Sequence, residues 1–286
     1  MPNDRLAAAL ESWPKWSASP PTMVRELKGG LTNQSYLIQV GDTRLVLRLS
    51  AENANELGLD RALEIQVLQR ASPSRVAPAL VYGDPEGRVL ITEYHAGACW
   101  QAMHSHEADK LQQLAQLLKT VHRLAPVDRV LDLHRRAEHY WLAINESNTP
   151  LVRTLRTLAP QLQDFFQRAA AACTQLRLCH NDLLAENLLI RNDAQLLALD
   201  WEYAAMGDPY FDLAVVIEGQ QFDDASAQTL LEYYADVPII AALQRLAPLR
   251  IIYCYLDLLW NLVQGVAPNQ AMIESKFERL RNIVSA

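Results

Sequence analysis

Two short apolar runs, Asn187-Leu188-Leu189-Ile190 and Leu196-Leu197-Ala198-Leu199, flank the polar segment Arg191-Asn192-Asp193-Ala194-Gln195. Runs of that length divided by a polar turn predict a β-hairpin. A third apolar run, Leu176 to Cys179, leads into His180-Asn181-Asp182. Asp182 therefore falls on the loop entering the hairpin, Asn187 opens its first strand, and Asp200 ends its second. Antiparallel pairing carries Asn187 and Asp200 towards each other, as two ligands of one cation require.

An Asp, an Asn five residues later and a second Asp thirteen residues beyond that form the inventory of phosphoryl transfer. One carboxylate orients the attacking hydroxyl. An amide oxygen and another carboxylate suit Mg2+, a hard cation that takes oxygen ligands and keeps waters and phosphate oxygens as the rest. The spacing follows the kinase template H-R-D-x-x-x-x-N and D-F-G, written here as H-N-D-x-x-x-x-N and D-W-E. A single Asp of this kind is most often a turn or cap residue. Three residues in register on a strand, loop and hairpin are much harder to obtain by chance.

The segments C-H-N-D-L-x-x-x-N-L-L, L-D-W-E-Y and G-D-P-x-x-D-L-A resemble the aminoglycoside phosphotransferase and choline kinase superfamily, bacterial choline kinases above all. The resemblance runs from about Lys28 to about Val266 and is strongest between Leu178 and Ala214. It implies an α+β, protein-kinase-like, two-lobed fold, with ATP and Mg2+ as cofactors.

The pattern along the chain agrees. Residues 1 to 95 are rich in strands, with extended runs at Ser35–Val40, Thr43–Leu49 and Val89–Tyr94 and one helix at Asp60–Arg70. This is the expected small N-lobe that binds nucleotide. Residues 96 to 286 turn to helical spacing, as in Leu111, Leu114, Leu118 and Val121, and form the expected large catalytic and acceptor-binding lobe. Further helices are predicted over residues 135–145, 154–174, 211–219, 226–234, 239–265 and 270–284.

At the nucleotide end, a Gly29-Gly30 turn lets backbone approach phosphates closely. The resemblance assigns Gly30, Asn33 and Ser35 to that neighbourhood. Arg48 occupies the strand position where kinases carry a Lys, and Glu64 on the following helix is its expected partner. Arginine forks onto phosphate oxygens and stays charged. Glu93 and Tyr94 begin the inter-lobe linker, where adenine docks in kinase-like folds. His180 and Asp212 are implied as supports of the catalytic loop, and His122 is expected to cap its helix's terminal carbonyls.

At the acceptor end, a quaternary ammonium is recognised by aromatic faces and a carboxylate. Candidates are Tyr203, Trp260 and Glu202, with Trp201, Tyr253, Tyr255 and Glu218 nearby in sequence. The Trp260 segment resembles the choline-site helix of choline kinases but carries Asp257 where a second Trp is common. A net charge of -7 suits a small cationic alcohol and argues against nucleic acid. Four cysteines without Cys-x-x-Cys spacing, no evident signal peptide, and an apolar stretch broken by Pro248, Arg250 and Asp257 point to a cytoplasmic enzyme with no membrane segment. The expected function is choline phosphorylation. Thiamine, ethanolamine or an aminoglycoside is the alternative acceptor, and a non-catalytic binding protein on the same fold is the alternative class.

Overall fold

A computed structural model of the protein describes residues 2–27, 33–51, 58–100, 107–144, 149–264 and 270–285. Gly30 lies outside these residues. The elements, in order, are α1 (Pro2–Glu11), β1 (Thr22–Leu27), β2 (Gln34–Val40), β3 (Thr43–Leu49), α2 (Arg61–Ala71), β4 (Leu80–Gly83), β5 (Val89–Glu93) and β6 (Gly97–Cys99). Next come α3 (Ala108–Val121), α4 (Leu133–Ile144), α5 (Pro150–Ala172), β7 (Arg177–Cys179), β8 (Leu188–Arg191), β9 (Leu196–Ala198) and β10 (Ala205–Gly207). The chain ends in α6 (Pro209–Gly219), α7 (Asp224–Tyr234), α8 (Ile239–Val263) and α9 (Gln270–Ser285). The fold is mixed α+β, sheet first and helices after.

The chain divides into two compact units. The first comprises Met1–Asn55, Leu59–Trp100 and Glu186–Ala204, so the β8–β9 hairpin groups with the N-terminal strands. The second comprises Glu56–Gly58, Gln101–Ala185 and Ala205–Ala286.

In the first unit a five-stranded antiparallel sheet runs β1-β2-β3-β5-β4, with β3 at its centre. Alternation in β3 buries Leu45, Leu47 and Leu49 with Tyr36, Ile38 and Ile91. Helix α1 adds Leu6 and Ala9 to this core, a helix the sequence reading left unassigned. β1 was missed too, because it is an edge strand whose Met23 and Val24 stay exposed and show no alternation. A second sheet, β6-β8-β9, carries the predicted hairpin.

The second unit is built around α6, whose residues from Pro209 to Glu218 are all buried. A helix buried on every side needs apolar residues all round. α8 packs on α6, α5 and α4. It is long and apolar enough to cross a membrane by length and composition, and half of that stretch is buried within the protein. The predicted stripe of α3, Leu111, Leu114, Leu118 and Val121, is buried, and α3 packs on α7.

One glycine fixes the spacing of β6 and β8. A Cβ on Gly97 would lie 2.3 Å from the carbonyl oxygen of Ile190, on the paired strand. Backbone cannot yield as a flexible side chain does, so Gly97→Ala should destabilise the fold by about 1–3 kcal/mol. Thermal denaturation checks this, and an unchanged melting temperature would contradict it.

Candidate active site

Asp60 caps α2 by accepting from the backbone N–H of Leu63 at 3.0 Å. The cap sets the phase of the helix and points Arg61 and Glu64 to one face. Arg48, on central strand β3, reaches Glu64 Oε2 at 2.5 Å and Asp200 Oδ1 at 2.7 Å. Arg61 reaches Glu202 Oε2 at 2.5 Å and Glu64 Oε2 at 3.2 Å, and donates to Asn33 Oδ1 at 3.0 Å. Asn33 in turn donates to Glu202 Oε2 at 2.7 Å. Three carboxylates thus face two guanidinium groups, and Glu64, Glu202 and Arg48 are buried.

Breaking one partner out of such a buried pair costs about 3–5 kcal/mol, so the network holds strand, helix and post-hairpin turn together. Burial opposes the charge on Arg48, but Glu64 and Asp200 outweigh it and lift its pKa above the ordinary arginine value. Burial, reinforced by Glu202 and opposed by Arg48, pushes Asp200 up to about 7. Its side chain is 30% exposed, so water tempers the effect and the upward direction is what carries weight.

Asp200 also sits at φ 57°, the left-handed region. Asp tolerates it better than most residues, at a cost of about 1–3 kcal/mol, and such strain concentrates at functional sites. The backbone N–H of Leu199, just before it, donates to Asn187 O at 2.8 Å, so Asn187 and Asp200 lie near each other at the hairpin's base. A divalent cation fits this set. The donors are hard oxygens, carboxylates outnumber guanidiniums, and a metal would relieve the charge that raises Asp200. Arg48 Nε is also buried without a hydrogen-bond partner among the described residues.

The second unit positions the segment His180-Asn181-Asp182. Asp212, wholly buried on α6, accepts from the backbone N–H of His180 at 2.8 Å and of Asn181 at 2.6 Å. Its Oδ2 also meets His122 Nε2 at 3.0 Å, and His122 Nδ1 meets the Tyr234 hydroxyl at 2.9 Å. One carboxylate therefore binds two consecutive amides, the second at Asn181 with φ 65°. His122, Cys179 and Asp212 lie close enough to suggest a metal centre. Burial raises the Cys179 thiol well above its usual value, and both Asp212 oxygens are already accepting. The cluster is a hydrogen-bonded brace, and the His122 ring serves it instead of the helix-end carbonyls expected from sequence.

Other expected residues have partners within their own unit. Glu202 Oε2 is held by Arg61 and Asn33. Asn33 spends its side chain on Glu202, Arg61 and the Ala51 N–H. Glu218 is buried between Arg250 and Arg279. Trp201 is core, its indole N–H donating to Ala198 O, and the Tyr255 hydroxyl accepts from Trp141. The N–H groups of Glu93 and Tyr94 are used within the sheet, by Ala79 O and Arg44 O.

Ser35 pairs with Arg48 in the β2–β3 register. Tyr203, in the first unit, is half-buried. Trp260, half-buried on α8, belongs to the second unit with Asp182. A cavity of about 420 Å³ in that unit is lined by Asn181, Asp208, Phe211, Leu249 and Ile252 among others, and Trp260 is not in its wall. Arg61 was missed from sequence. The available signal was its place one turn before Glu64.

A buried Arg–Glu pair beside a hairpin carboxylate, and an H-N-D loop braced by a helix Asp, define a kinase-like phosphotransferase architecture. A model of the phosphotransferase enzyme family matches residues 24–249, and the chain belongs to that family. Protein LicA of Haemophilus influenzae is 28% identical over 213 residues, covering 73% of this chain. The chain spans 61% of that relative's length. The crystal structure of choline kinase LicA from Streptococcus pneumoniae superposes with a TM-score of 0.81 at 19% identity, covering 98% of each chain. A structure of LicA in complex with AMP gives 0.80 at 19% identity, covering 98% of this chain and 97% of the other.

The raised Asp200 has a testable consequence for the ligand-free protein. Its folded-state pKa lies above the ordinary carboxylate value, so the stability it contributes is full at acid pH and lost as pH rises through about 7. Asp200→Asn does not titrate. The melting temperature of Asp200→Asn relative to wild type should therefore be more favourable at pH 8 than at pH 5. No change in that difference between pH 5 and pH 8 would mean that the Arg48 pair, not burial, dominates Asp200, because a lowered carboxylate titrates below this range.

Proposed function

We propose that the protein is an ATP- and Mg2+-dependent kinase that phosphorylates the hydroxyl of a small cationic alcohol, choline first. The observation that carries this reading is the surplus of carboxylate over guanidinium around Asp200 in a member of a phosphotransferase family. A metal–nucleotide complex is the ligand whose charges complete that set.

In this reading Asn187 and Asp200 would hold the magnesium, which when bound neutralises charge on the phosphate oxygens. Arg48 forks onto phosphate oxygens while Glu64 keeps it oriented. Asp182 accepts the hydrogen bond of the acceptor hydroxyl and aims it at the transferred phosphorus. Asp212 keeps Asp182 in place by fixing the two amides before it. Gly30 and Ser35 belong to the phosphate neighbourhood by resemblance, and Glu93 and Tyr94 to the adenine end. With both Glu93 and Tyr94 N–H groups spent on the sheet, adenine recognition falls to other backbone groups of that segment.

Similarity to choline kinase LicA from Streptococcus pneumoniae favours choline. Because Glu202 and Glu218 are each held by arginine, aromatic faces are the candidates for recognising the ammonium group, Trp260 first. Four free cysteines are compatible with a reducing, cytoplasmic setting.

Asp182→Ala should lower kcat by orders of magnitude while leaving nucleotide binding intact. A coupled ADP-release assay over choline, ethanolamine, thiamine and an aminoglycoside, with titration of a nucleotide analogue, checks both parts. Near wild-type turnover would sink the role. A desolvated cation-π contact contributes about 2 kcal/mol. Trp260→Ala should therefore raise the Michaelis constant for choline roughly 10- to 30-fold and leave that for ATP nearly unchanged. Loss of thermal stability alone, with acceptor affinity unaltered, would make Trp260 a core residue.

A further inference from the structure

We infer that Arg61 is a positioning residue for Asp200, holding the metal-binding carboxylate in register through Glu202. The inference rests on the reading of Asp200 as a magnesium ligand. Arg61 is 11% exposed at its side chain and meets three groups from three parts of the first unit. These are Glu64 on its own helix, Asn33 just before β2, and Glu202 in the turn that follows β9. Glu202 is two residues beyond Asp200, and its Oε2 accepts from both Arg61 and Asn33.

The geometry shows what this clamp does. Asp200 occupies a left-handed conformation that a non-glycine residue keeps only when its surroundings enforce it. The bond between Leu199 N–H and Asn187 O fixes the chain on one side of Asp200. Glu202, gripped by Arg61 and Asn33, fixes it on the other. Arg61 also shares Glu64 Oε2 with Arg48. Without Arg61, Glu202 loses its cation and competes for Arg48, drawing it from Asp200 and Glu64. The carboxylate that takes the metal and the arginine that takes the phosphates then lose register together.

Groups that orient metal ligands typically contribute 10- to 100-fold to metal affinity when removed. Isothermal calorimetry of a non-hydrolysable ATP analogue over a magnesium series reads this directly, beside thermal melting of each variant. Arg61→Gln should raise the magnesium concentration needed for half-maximal binding about tenfold or more, a larger change than the one in magnesium-free nucleotide affinity. Arg61→Lys, which keeps the charge but not the fork, should recover part of the loss. In a Glu202→Gln background, Arg61→Gln should add little, because both changes break one contact. Additive effects, or a fall in melting temperature without a change in magnesium dependence, would overturn the inference. If Arg61→Gln does not fold, Glu202→Gln decides alone: unchanged magnesium dependence overturns it. Asp200→Ala separates the two levels. Loss of magnesium dependence there, with none in the Arg61 and Glu202 variants, defeats only the positioning role. An Asp200→Ala variant that still responds normally to magnesium defeats the ligand reading, and this inference with it.

Discussion

Arg48 is shared between Glu64 and Asp200, residues 16 and 152 positions away along the chain. A guanidinium buried at the centre of a sheet cannot be left without counter-charge, because desolvating it alone would cost far more than a fold of this size has to spare. The requirement ties three elements of the first unit to one another. β3 must present Arg48, α2 must present Glu64 on its buried face, and the hairpin must end where Asp200 can reach. Arg61 repeats the arrangement one turn earlier with Glu202 and Asn33. The result is a charge network with one carboxylate in excess, a state that favours the arrival of a cation.

The second unit solves a different problem with the same economy of groups. A loop cannot hold a side chain steady by its own flexible backbone alone. Here a wholly buried carboxylate, Asp212, accepts two successive amides, and His122 with Tyr234 orients the carboxylate from behind. Because α6 is buried on every side, the brace is anchored on a core helix of that unit.

Much of this was legible in the sequence. The hairpin and the helix stripes follow from periodicity and turn chemistry, which are local properties, and the Arg48–Glu64 pair follows from the likeness to the kinase template. What escaped was decided by tertiary partners. Nothing local distinguishes Glu202 beside Arg61 from Glu202 beside a ligand, and the choice depends on a helix 141 residues away. Trp201 and Tyr255, near the candidate aromatics in sequence, bond their polar atoms to Ala198 O and to the Trp141 indole N–H. β1 and α1 escaped for opposite reasons. The first exposes apolar side chains at a sheet edge, and the second buries only Leu6 and Ala9 in the core.

The proposed activity is the transfer of phosphate to an alcohol. Phosphorus-31 NMR of purified protein with ATP, magnesium and choline tests it most directly. A phosphomonoester resonance matching phosphocholine should grow in step with ADP, and should vanish when magnesium is chelated. ADP appearing only with inorganic phosphate, or a phosphomonoester that forms equally well without divalent metal, would contradict the account.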